Sequence, residues 1–190
     1  MKPFLEEIAD RLIRKFPTSM DKIAVVLPSK RAVVFLKNYL SKKISKPIFL
    51  PQFFSIEEFI ESISDLKVID NVSLQFYLYS SYLSITDSKK ETFNEFLNWG
   101  NTLLQDFNDI DTNMVDAKSL FTNIKNVKEL ENWNLEQWSF SNDNLTQKQR
   151  EYVDFFSSLY LVYENYKKLL LDNKYAYQGL ANLVAAQKIN

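Results

Sequence analysis

The chain has 190 residues, 46% of them hydrophobic and 25% charged, which suits one domain or two small ones with a real core and argues against wholesale disorder. It has no cysteine, no histidine and only two glycines, Gly100 and Gly179, which excludes disulfides, thiol chemistry, most zinc sites and histidine-based triads, and leaves too few glycines for a Walker A loop or a dinucleotide fingerprint. The formal charge of −1 is unevenly spread: residues 1–46 carry 11 Lys/Arg against 4 Asp/Glu, whereas residues 47–190 carry 12 against 20.

A basic segment joined to an acidic one implies an anionic partner for the first, attraction between the two, or simply solvated faces. No apolar run approaches the ~20 residues that cross a bilayer. The start, MKPFLEEIADRLIRKF, places acidic residues where a secretory signal is apolar. A cytoplasmic protein without membrane contact is the expectation, and the absence of cysteine fits it.

In chain order, Phe4, Leu5, Ile8, Leu12 and Ile13 recur at helical spacing, so residues 3–16 read as an amphipathic helix that stops before Pro17. KIAVVL, residues 22–27, is a continuous β-branched run and reads as a buried strand. Ser29 can cap a helix over 30–43, whose apolar side is supplied by Val33, Val34, Phe35, Leu36 and Leu40. PIFL, residues 47–50, reads as a second strand, and two strands joined through a helix fit a right-handed parallel crossover. SIEEFIES then opens another helix with Ser55 as N-cap and Glu58 three residues on, a capping box.

From about residue 70 the pattern is helical throughout. Residues 71–85, 91–108, 114–124 and 146–173 each place apolar residues three and four apart. Asn113 with Asp116 signals the start of one of these helices, and Thr146 with Gln149 the start of the longest. Residues 126–145, with Trp133 and Trp138 among polar neighbours, read as an irregular connector. There is no internal repeat. The fold class expected is α/β but mostly helical: a small parallel βαβ unit in residues 1–69, then a helical domain in 70–190.

Three sets of side chains are candidates for function. Asp106, Asp109, Asp111 and Asp116 are the obvious metal candidates, but DFNDIDTNMVDA lacks the glycine and the distal glutamate of a calcium loop. Helix-end and turn roles account for these aspartates, and no metal or other cofactor is expected. The 15 Phe, 10 Tyr and 3 Trp invite stacking on single-stranded nucleic acid. Yet Phe76, Tyr77, Tyr79 and Tyr82, and likewise Phe155, Phe156, Tyr160, Tyr163 and Tyr166, lie at helical spacing, which favours a core. The third set is the basic turn Ser29-Lys30-Arg31, at the end of a strand and the start of a helix, the usual ligand edge of an α/β sheet. Its amides and two cations suit a nucleic-acid phosphate, with Ser55 on the same edge; a plain capped helix with solvated charges is the alternative.

IAVVLPSKRAVVFLKNYL followed by LPQFFSIEEFIESI resembles the region after the Walker A segment in AddB-type subunits of helicase–nuclease complexes. EFLNWGNTLLQDFNDIDTNMVDAKSLFTNI is similar to the helical insertion of the same proteins, and YAYQGLANLVA to the segment leading out of it. The resemblance implies a degenerate P-loop helicase-like fold and a part in DNA double-strand break repair and recombination. It further implies contact with DNA and with a partner helicase–nuclease subunit. The helix at 3–16 stands where the family's glycine-rich loop would be, so no ATP binding is expected. No counterpart of the family's PD-(D/E)xK nuclease motif occurs here, although the full-length protein would carry one. Residues 1–190 thus look like the N-terminal piece of a longer chain, and LANLVAAQKIN ends without a capping signal. Ser29, Lys30, Arg31 and Ser55 then fall at the position of a DNA-contacting motif. A non-catalytic module that guides or grips DNA is the favoured expectation, and a protein-interaction or scaffolding module without DNA contact is the other.

Overall fold

The computed structural model describes residues 2–85, 91–131 and 147–189, with side chains described outside 125–131, 147–154, 156 and 157. It is mostly helical, with two short parallel strand pairs. The chain divides into two compact units, Met1–Ile63 and Ser64–Asn190. The expected boundary at 69/70 lies a few residues further along. The difference arises because Lys67–Val68 forms a strand that pairs with Tyr175–Ala176 and so belongs with the helical part.

The first unit runs α1 (Phe4–Lys15), β1 (Ala24–Leu27), α2 (Lys30–Lys43), β2 (Gln52–Ser55) and α3 (Ile56–Ser64), the last residue of α3 falling in the second unit. Ala9 on α1 is fully buried, and its small side chain lets α1 approach Leu36 and Leu40 of α2, which are buried as well. Leu5, Ile8, Leu12 and Ile13 pack around this centre at the spacing that made α1 legible as amphipathic. Polar clasps close the rim: Lys43 Nζ lies 2.9 Å from both Glu6 and Asp10, and Lys2 pairs with Asp10.

β1 and β2 are parallel, with Ala24 opposite Gln52 and Leu27 opposite Ser55. The second strand therefore lies after PIFL and not within it. Pro51 has no N–H to donate, so the ladder opens one residue later, where the Gln52 amide donates to the Ile23 carbonyl at 2.9 Å. Residue 49 keeps one bond to this layer, its carbonyl accepting from the Met20 amide, while the Phe49 side chain is 75% exposed.

The second unit runs β3 (Lys67–Val68), α4 (Asn71–Ile85), α5 (Phe93–Thr112), α6 (Ala117–Glu131), α7 (Gln147–Asp172), β4 (Tyr175–Ala176) and α8 (Gln178–Ile189). α4 matches its expected span. α5 starts later and ends later than expected: Thr92 and Glu95 form a capping box, and Asn113 closes this helix and does not open the next. α6 is started by Asp116, whose carboxylate takes the Ser119 hydroxyl. It continues to Glu131, into the stretch expected to be irregular. Residues 132–145 with Trp133 and Trp138, and the Thr146 cap, lie outside the described residues.

The core of this unit is aromatic. Phe96, Phe107 and Tyr166 are fully buried, and Phe107 meets Tyr163 edge-on at 5.1 Å. Tyr166 stacks on Tyr177 at 5.6 Å, joining α7 to the start of α8. α8 packs closely on α5 because Gly179 has no side chain: a Cβ there would fall on the Asn108 carbonyl oxygen. The Gly179 amide donates to Asn108 Oδ1 at 2.8 Å across the same contact. With so few glycines, the turns after α3, α5 and α7 use Asp65, Met114 and Lys174 in the left-handed region, with φ of 58°, 52° and 57°. Among the described residues no helix is long and apolar enough to cross a membrane.

Candidate nucleic-acid interface

β1 ends at Leu27, and Pro28 turns the chain so that Ser29 becomes the N-cap of α2. Ser29 Oγ accepts from the Ala32 amide at 3.3 Å, which leaves the amides of Lys30 and Arg31 as first-turn donors without an intrahelical acceptor. β2 ends at Ser55, which is itself the cap of α3. The Glu58 amide donates to Ser55 Oγ at 3.2 Å, and the Ser55 amide donates to Glu58 Oε2 at 3.0 Å, completing the capping box read from the sequence. Because Leu27 and Ser55 are register partners, both helices begin at the same edge of the sheet.

A cross-link joins the two starts. Lys30 Nζ lies 3.3 Å from Glu58 Oε1, so one carboxylate serves both the cap of α3 and the cation of α2. The Ser55 amide first, and Lys30 second, hold the Glu58 carboxyl below the usual range. Lys30 remains 69% exposed despite this pair. Ser29 and Arg31 are exposed too, and the Arg31 guanidinium lies 5.6 Å from the centre of the Phe35 ring one turn along. Ser55 differs from the other three. It is 1% exposed, and its hydroxyl is engaged by α3, so it contributes to this edge by placing Glu58.

The electrostatics of α2 run against the usual preference. A helix N-terminus carries partial positive charge and favours acidic neighbours, yet the first turn of α2 has no acidic residue and begins Lys30-Arg31. Two cations at the positive end of a helix raise its energy, and an anion held there lowers it.

The acidic candidates go four separate ways. Asp116 caps α6, and Asp109 lies in the last turn of α5. Asp106 is pushed above the usual carboxylate range, first by burial and then by the charge of Asp109. Asp111 has no helix-end role and is 2% exposed. Tyr163 Oη donates to Asp111 Oδ1 at 2.6 Å, Tyr177 Oη donates to Oδ2, and Lys167 Nζ lies 3.1 Å from Oδ1. Burial first, and Asp111 after it, push both phenols far above their usual range, so they stay protonated donors. Among the described residues no group of three or more potential metal ligands gathers.

Sequence reasoning missed this buried cluster and the Lys30–Glu58 link. For the cluster a partial signal existed: Tyr163 and Lys167 stand four residues apart, on one face of α7, and Lys167 Nζ donates to Tyr163 Oη at 2.9 Å. For the link there was none, since residues 30 and 58 are brought together only by strand register. No family model, curated protein or solved structure matches this chain.

Proposed function

We propose that this chain is a non-catalytic, helicase-like module of an AddB-type helicase–nuclease, gripping DNA by its phosphates while motor and nuclease domains elsewhere act. The observation that carries the reading is the first turn of α2. Two cations and two amides without intrahelical acceptors occupy the positive end of a helix, at the sheet edge where α3 also begins. A backbone phosphate there would accept from the Lys30 and Arg31 amides and take one or both side-chain charges. Such contacts position a duplex or a single strand without reading its sequence. Glu58 competes for Lys30, so engagement exchanges an internal carboxylate for an external phosphate. The resemblance of LPSKRAVVFLKNYL and QFFSIEEFIESI to the AddB-type pattern supplies the biological setting of strand-break processing.

The test is fluorescence anisotropy of labelled duplex and single-stranded DNA with the 190-residue chain and a Lys30→Ala/Arg31→Ala variant. Affinity is expected to fall steeply with salt for the parent, about equally for all sequences. The variant should bind more weakly, with the slope of log affinity against log salt reduced by roughly one to two charges. Binding that is indifferent to both substitutions overturns the assignment of this turn. Absence of binding at low salt favours the scaffolding reading.

A further inference from the structure

β1 has the composition of a strand from the middle of a sheet but stands at an edge. Ile23 to Leu27 is an uninterrupted apolar run, as in parallel strands covered on both faces. Among the described residues, however, β1 pairs with β2 alone. The register fixes which backbone groups that pairing uses. The Gln52 amide donates to the Ile23 carbonyl and Ala24 lies opposite Gln52, so the carbonyls of Ile23 and Val25 and the amides of Val25 and Leu27 turn toward β2. Ala24 and Val26 turn their amides and carbonyls to the other side, and among the described residues neither makes a hydrogen bond there.

The side chains follow the same alternation. Val25 and Phe53 pack against the buried centre of α1 and α2, so Ala24, Val26 and Phe54 look to the opposite face. There Phe54 meets Phe59 of α3 at 5.9 Å, while Ala24 is exposed and Val26 is 38% exposed. Edge strands usually avoid pairing through a proline, an inward charge or a bulge. Ala24–Leu27 contains no proline and no charge, and its register with β2 is unbroken.

We propose that the outer edge of β1 is a strand-addition site, which takes an extended segment of a partner protein with apolar residues in its centre and acidic residues at its ends. The unpaired backbone groups select an extended chain, because only a strand presents donors and acceptors at the spacing of Ala24 and Val26. Side chains of the added strand would lie beside Val26 on the open face, where cross-strand apolar pairs add to the backbone bonds. Charge selects the acidic ends. The unit Met1–Ile63 carries 11 Lys/Arg against 7 Asp/Glu, so an acidic strand is attracted whereas a second copy of the unit meets like charge. The contacts are made by the backbone of Ala24 and Val26, so the proposal stands or falls separately from DNA binding.

The experiment titrates the full chain with a labelled synthetic peptide that has alternating Val and Thr in its centre and Glu at both ends. One twin carries Lys for each Glu. Another is N-methylated at every central residue, which keeps its side chains but leaves no amide to donate. Saturable binding of the Glu peptide is expected, at least about tenfold tighter than that of the N-methylated twin and roughly threefold tighter than that of the Lys twin. On saturation, hydrogen exchange at the Ala24 and Val26 amides should slow at least about tenfold. Val26→Lys places a charge on an already exposed side chain and should abolish binding with the circular dichroism spectrum unchanged. Val26→Pro removes one outward amide, a change edge strands tolerate, and should weaken binding at least about fivefold. Equal affinity for either twin, absence of saturable binding, parent-like binding by Val26→Lys, or slowed exchange confined to other amides would each overturn the proposal. A dimer in sedimentation that the Glu peptide dissociates would assign the edge to a second copy and overturn it as well.

Discussion

Glu58 shows how much one residue can link in a small unit. Its carboxylate receives the Ser55 amide and faces Lys30, so it starts one helix and restrains the cation at the start of another. Glutamine can also complete a capping box but carries no charge. Glu58→Gln is therefore expected to lower the denaturant midpoint slightly while raising DNA affinity roughly two- to fivefold at low salt, because Lys30 is released. Anisotropy titrations beside the parent check this; unchanged affinity would mean that the pair does not restrain Lys30. Asp111 is a residue of the opposite kind, buried and satisfied on both oxygens. Asp111→Asn leaves Lys167 without its anion and sets an NH2 group where one phenol had its acceptor oxygen, so a loss of about 2–4 kcal/mol in urea unfolding is expected. Tyr177→Phe should cost less, about 1–2 kcal/mol, since it removes one donor and no charge.

Among the elements, α5 and α8 depend on closest approach. Gly179 lies against the Asn108 carbonyl with no room for a methyl group, and both elements are held elsewhere by the aromatic core. Gly179→Ala should destabilise the second unit by about 1–3 kcal/mol despite the better helix propensity of alanine, because overpacking outweighs a propensity gain of at most ~1 kcal/mol. Thermal or urea unfolding of the variant gives the sign directly. α1 and α2 meet by another device, an alanine at the crossing and ion pairs at the rim. The α1 pattern announced its buried face in the sequence, whereas the position of β2 was misread because PIFL has strand composition. Composition speaks for apolar character; the proline after it decided where hydrogen bonding could begin.

For the whole molecule, the carboxylates whose ionisation the fold displaces give a pH dependence of definite sign. Asp10, depressed by Lys2 and then Lys43, and Glu58, depressed by the Ser55 amide and then Lys30, act in the first unit. Asp65 beside Lys174, Asp70 and Glu95 at helix starts, and Asp116 with Ser119 act in the second. Each has a folded pKa below its unfolded value, so its contribution is present above the unfolded value, about 4, and is lost as pH falls through the folded one. Asp106 has the reverse sign, and protonation relieves it. Among the described residues, six depressed groups against one raised group predict that both units lose stability from about pH 4 downwards, with little change between pH 6 and about pH 8. Urea midpoints across this range, followed by circular dichroism, test the prediction, and a midpoint that rises on acidification would contradict it.

The sequence by itself determined the helical character of the chain, the caps Ser29 and Ser55, and the exclusion of glycine-loop and histidine chemistry. These depend on neighbours within one or two turns, where spacing and hydrogen-bonding capacity suffice. The tertiary structure alone decided that β3 and β4 pair across more than a hundred residues and move the unit boundary to Ile63/Ser64. It alone buried Asp111 among two tyrosines and a lysine, where the same residue had read as one more helix-end aspartate. It also brought Glu58 to Lys30, since the register of two strands lies between them in cause. Long-range partners are chosen by packing and register, which depend on the whole chain folding at once, and no local pattern contains them.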